Sequence, residues 1–108
     1  MKNDNVKNMK FRLEDRINYQ DGAVVSREIL KNASGTVTLF AFDQGQGLSE
    51  HKTPFEALVY IVDGEVEIAI DGKVNSLKKG EMIHMPAKKL HTLKATKRFK
   101  MLLTMLKV

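Results

Sequence analysis

The chain has 108 residues, no cysteine, 43% hydrophobic and 29% charged residues, and a net charge of +5. That length suits one domain with a single core, and the balance is that of an ordinary globular protein. The lack of cysteine excludes disulfides and thiolate chemistry and fits a cytoplasmic location.

The charge is unevenly spread. Residues 1–72 carry 8 Lys/Arg against 12 Asp/Glu, a net −4, whereas residues 73–108 carry 10 against 1, a net +9. Such polarity can mark an anionic partner. Aromatic residues do not interleave with the lysines as a single-strand nucleic-acid platform requires, so solvated lysines at turns are the ordinary reading and no nucleic-acid partner is expected. No apolar run approaches a membrane span, and MKNDNVKNMK lacks the apolar stretch of a secretory signal.

Residues 1–10 are polar and read as a frayed end. Phe11 to Tyr19 predicts a short helical turn with Leu13 and Ile17 on one side, broken by Asp21-Gly22. Ala23 to Leu30 and Thr36 to Phe42 read as strands joined by an Asn-Ala-Ser-Gly turn. A Gly-rich loop leads to a strand carrying His51. Phe55 to Val62 and Glu65 to Ile70 read as strands separated by an Asp63-Gly64 turn, and Asp71-Gly72 is the strongest hairpin signal in the chain. Short strands follow at Val74 to Leu77, Met82 to Met85 (ended by Pro86), Leu90 to Ala95 and Phe99 to Leu106. About nine short strands with frequent turns and no long helical period predict an all-β sandwich or barrel. It comprises a single domain over 23–108, preceded by an N-terminal extension over 1–22.

Strand parity predicts a second apolar surface. Ala57, Val59 and Ile61 share one face, and Leu58, Tyr60 and Val62 share the other with Glu56. In the last strand, Leu102 and Leu106 oppose the face of Phe99, Met101, Leu103 and Met105. A small barrel has one core-facing side, so the second face needs cover from a homodimer partner or from the N-terminal segment.

Two stretches, Gly45 to Gly64 and Gly80 to Ala95, resemble the two sequence motifs of the cupin family. Gly45, His51 and Gly64 stand at the spacings of the first motif, and Gly80, Pro86 and His91 at those of the second. The resemblance covers roughly residues 36–106. It implies a jelly-roll barrel of the double-stranded β-helix type, with His51, Thr53, Ala57 and His91 converging on an interior pocket.

The family's metal is held by two histidines and a glutamate from the first motif and one histidine from the second. Here Thr53 stands at the second histidine position and Ala57 at the glutamate position, while Glu56 points the other way by parity. Lys88 replaces a glycine and Ala95 an asparagine. His51 and His91 therefore form an incomplete ligand set for a divalent transition metal, without an anionic donor. Met85 or Met101 would add a thioether suited to copper, although core packing is the ordinary role of both. His84 falls on no ligand position and reads as a partly exposed or hydrogen-bonded strand histidine. No Ser-His-Asp arrangement, phosphate loop or HExxH occurs.

Three functions fit these residues. The first is binding of a small polar or acidic molecule by His51, Thr53 and His91, with Lys88 and Lys89 attracting its charge. The second is a metal-dependent oxygenase or isomerase, and the third a structural or regulatory module acting through protein contacts. Whether the chain is an enzyme does not follow from its sequence, because function resides in the site and not the fold.

Overall fold

The computed structural model describes residues 8–107. Its eight antiparallel strands are β1 (Val24–Asn32), β2 (Gly35–Phe42), β3 (Gly47–His51), β4 (Glu56–Ile70), β5 (Lys73–Lys78), β6 (Met82–Met85), β7 (His91–Lys94) and β8 (Phe99–Leu106). They form two facing sheets, β1-β2-β8-β4-β6 and β3-β7-β4-β5, which share β4. Phe42, Val59, Ile61, Val66, Ile68, Phe99 and Met101 fill the space between them and are almost wholly removed from water. Among the described residues no helix is long and apolar enough to cross a membrane.

The strands expected on either side of Asp63-Gly64 are one strand. Pairing with β8 carries the chain straight through this dipeptide, with a register shift between Ile61 and Asp63. The local Asp-Gly preference for turning yields to the ladder, and the extra residue is absorbed as a bulge that swings the strand from one sheet to the other. Asp71-Gly72 does turn. Both residues have positive φ, 49° and 82°, as a type I′ hairpin between β4 and β5 requires. The β1–β2 turn also falls where the sequence places it, with Asn32 opposite Gly35.

The N-terminal helical turn is a 3-10 turn, Leu13–Arg16. Residues 1–7, the greater part of the stretch read as frayed, lie outside the described residues. Ile17 is buried, and with Leu13 and Tyr19 it packs on Leu39, Ala41, Tyr60, Val62 and Leu102. The N-terminal segment thus covers much of the second apolar face. Tyr19 donates a hydrogen bond to Asp63 Oδ2 at 2.6 Å, and Lys100 Nζ donates to the Glu14 carbonyl at 2.6 Å, tying the segment to β4 and β8. Burial first, and then the Asp63 carboxylate, push the Tyr19 hydroxyl well above the usual phenol range. Leu58 and Leu106 stay outside this cover, 37% and 49% exposed.

Candidate functional site: a histidine pair at the barrel mouth

The first residues of β4, near Ala57, pair with β6 and β8 in one sheet, and its last, near Ile70, pair with β5 and β7 in the other. His91 opens β7, opposite Ile70 on one side and His51 of β3 on the other. Parity puts His91 on the face of Leu93, which packs in the core, so its ring turns inward. His91 is only 4% exposed, whereas His51 lies at the rim.

The two rings meet edge to face, with Nε2 to Nε2 at 3.1 Å and centroids 4.2 Å apart. The sequence spacing thus brings together two residues separated by 40 positions. Each Nδ1 faces a backbone carbonyl, Ser49 O at 2.7 Å for His51 and Lys89 O at 3.3 Å for His91. A carbonyl only accepts, so the short contact places a proton on His51 Nδ1 and leaves the His51 Nε2 lone pair facing His91. In the neutral pair, His91 Nε2–H donates across the 3.1 Å gap. A protonated pair keeps that bond and lets His91 donate to the Lys89 carbonyl as well.

Thr53 and Lys88 lie in the two loops beside this pair. Lys88 N–H donates to the Thr53 carbonyl at 2.7 Å, clipping the loops together. Thr53 Oγ1 accepts the Phe55 N–H at 2.8 Å, so the hydroxyl braces its own turn. Lys88 adopts φ 66°, the left-handed region that suits the glycine it replaces. Its side chain is exposed and makes no ion pair among the described residues, whereas Lys89 sits 3.6 Å from Asp71.

Ala57 faces the interior between Met85 and Met105, its cross-strand neighbours. Met85 and Met101 are both buried in the core. Among the described residues no three His, Cys, Asp or Glu side chains gather as a metal-binding group. Two imidazoles without a carboxylate do not fit the three- or four-ligand centre that the resemblance implies. On the outer face, His84 Nε2 meets Glu56 Oε1 at 2.5 Å, which agrees with the reading of a partly exposed, hydrogen-bonded strand histidine and supplies the partner that reading did not name. The signal was available, because Leu58 pairs with His84 and places both strands' polar residues on one face. This bond holds the Glu56 carboxyl below its usual range.

Burial, and then the charge of His51, lower the proton affinity of His91. At the opposite end, Arg98 above all, and then the Gly22 N–H, hold the Asp43 carboxyl down to about 2. Both shifts act in one direction. The unfolded chain protonates His91 below about pH 6.5 and Asp43 below about pH 4, in each case before the folded chain does. Stability should therefore fall in two stages on acidification, the first below about pH 6.5 and the second between about pH 4 and about pH 2. Urea midpoints at pH 8, 5 and 3 should descend, His91→Asn flattening the first stage and Asp43→Asn the second. A wild-type midpoint unchanged from pH 8 to pH 5 would contradict the burial argument for His91.

A family model described as "Cupin domain" matches residues 38–106. Among solved structures, a conserved protein of unknown function from Streptococcus pyogenes superposes with a TM-score of 0.89 at 31% identity, over 94% of this chain and 89% of that one. A cupin 2 conserved barrel domain protein from Leptotrichia buccalis is 39% identical, with a TM-score of 0.87 over 90% of this chain and 47% of its own, so the present chain spans about half of it. A cupin superfamily protein from Desulfitobacterium hafniense gives 0.88 at 27% identity, over 94% and 93%. No curated protein sequence matches the chain. The family model spans most of the barrel and a structural relative above 30% identity covers nearly all of both chains, so this protein belongs to the cupin family.

Proposed function

We propose that this cupin binds a small acidic molecule at the mouth of its barrel, through His51 and His91. The observation that carries the reading is the 3.1 Å approach of the two Nε2 atoms. A facing pair that shares one added proton presents a single positive charge at the mouth. A carboxylate arriving there gains a charge-assisted hydrogen bond and raises the proton affinity of the pair. Lys88, exposed on the adjoining loop, adds attraction that salt screens.

Binding of acetate, oxalate and inorganic phosphate, followed by calorimetry or by imidazole NMR signals, tests this. Affinity should rise as pH falls through the histidine range, because binding takes up a proton. His51→Ala and His91→Ala should each abolish binding while the melting temperature moves by only a few degrees, and Lys88→Ala should weaken it mildly. Unchanged affinity in both histidine variants would refute the assignment. A metal reading makes the opposite prediction on pH, since Zn²⁺ needs the neutral imidazoles and its binding would weaken on acidification.

A further inference from the structure

The mouth carries a second feature that the histidines do not use. A cavity of about 310 Å³ opens between the β1–β2 turn, the end of β8 and the loop before β4. Its size is at the lower end for small-molecule sites. Its walls are mostly apolar, with Phe55 and Met105 contributing large side chains and Thr36 standing opposite Met105 in the ladder. Two cations, Lys31 at the end of β1 and Lys107 just beyond β8, line it as well. The Lys107 N–H donates to the Ser34 carbonyl at 3.0 Å, which fixes Lys107 against the β1–β2 turn and brings it to the cleft.

Neither charge is part of an ion pair among the described residues. The ion pairs among the described residues engage Lys79, His84, Lys89, Lys97 and Arg98, and neither Lys31 nor Lys107 is among them. Among the described residues no carboxylate lines the cleft. An apolar cleft with two exposed ammonium groups complements one kind of molecule, an anion with a hydrocarbon body. Burial of the body supplies affinity, and the cations fix which end stays near water.

We propose that this cleft binds a small amphipathic monocarboxylate, its apolar tail against Phe55 and Met105 and its carboxylate between Lys31 and Lys107. The site is separate from the histidine pair, since neither His51 nor His91 lines it.

Titration of the full chain with sodium octanoate at low salt, read by backbone amide NMR, tests the assignment. Shifts should concentrate at Lys31 to Thr36, Phe55 and Met105 to Lys107. Lys31→Ala and Lys107→Ala should each weaken binding about three- to fivefold, the range of a partly exposed ion pair. Phe55→Ala should weaken it about tenfold through lost apolar contact. 1-Octanol should bind more weakly than octanoate, and in His51→Ala the octanoate-induced shifts at Lys31 to Thr36 and at Met105 to Lys107 should persist. The lysines are exposed, so their variants remain folded. Unchanged affinity in the Lys31→Ala/Lys107→Ala double variant would overturn the proposal, as would no amide shift at about 10 mM octanoate. Loss of the shifts at Lys31 to Thr36 and at Met105 to Lys107 in His51→Ala would also overturn it, by moving the anion to the histidine pair.

Discussion

Gly64→Ala should leave little of the protein folded. A Cβ at this position would lie 1.8 Å from the Arg98 carbonyl oxygen and 2.7 Å from the Phe99 Cα. Both obstacles are backbone, and Gly64 is paired with Phe99 in the β4–β8 ladder, so nothing can rotate aside. The strands must part where β4 changes sheets. In addition, φ of 79° costs a non-glycine residue roughly 1–2 kcal/mol. Together these effects should remove more than about 3 kcal/mol, a large share of the 5–15 kcal/mol that typically holds a domain together. Gly72→Ala is the control. Its φ is 82° but the space for a Cβ is open, so the change should cost only about 1 kcal/mol. Chemical denaturation followed by circular dichroism separates the two, and equal losses would show that close approach is not what reserves position 64 for glycine.

Phe99→Ala should be the most damaging truncation in the core. The Phe99 ring is fully buried and stacks on Phe42 with centroids 4.5 Å apart at 11°. Removing it deletes apolar burial and leaves a hole that two hydrogen-bonded sheets cannot close, at a cost of about 3–5 kcal/mol. A cycle with Phe42→Ala should reveal a coupling of about 0.5–1.5 kcal/mol from the stacked geometry. Urea unfolding of the single and double variants measures both quantities. A loss below about 1 kcal/mol for Phe99→Ala would mean that the floor of the barrel repacks freely.

The outline of the fold was legible because strand alternation and turn chemistry are local. Val66, Ile68 and Ile70 alternate with polar or small neighbours, and they form the second half of β4. Met82 to Met85, bounded by Pro86, forms β6 over those same residues. The convergence of His51 and His91 was legible through the resemblance to the cupin motifs, whose spacings both histidines keep relative to Gly45, Gly80 and Pro86. What spacing does not encode is the partner of each group. The carbonyls of Ser49 and Lys89, which orient the two rings, belong to residues of no distinctive type. The Asp63-Gly64 signal is real locally and is overruled by a pairing partner some 35 residues away. Leu13 and Ile17 announced an apolar side, but only the folded chain shows that it seals Tyr60, Val62 and Leu102.

The sharing of β4 between the two sheets also sets how the molecule comes apart. Residues Ala57–Tyr60 pair with both β6 and β8, and residues Glu67–Ile70 pair with both β5 and β7. Neither sheet can detach while the other survives, because each would take half of the same strand with it. The two sheets of the barrel should therefore melt in concert. The strand that closes it, β8, must find β2 and β4 across much of the chain, which makes assembly slow compared with formation of the β4–β5 hairpin. A molecule held by His91, beside the end of β4, is accordingly coupled to global unfolding, and its binding free energy adds to the stability of the whole chain.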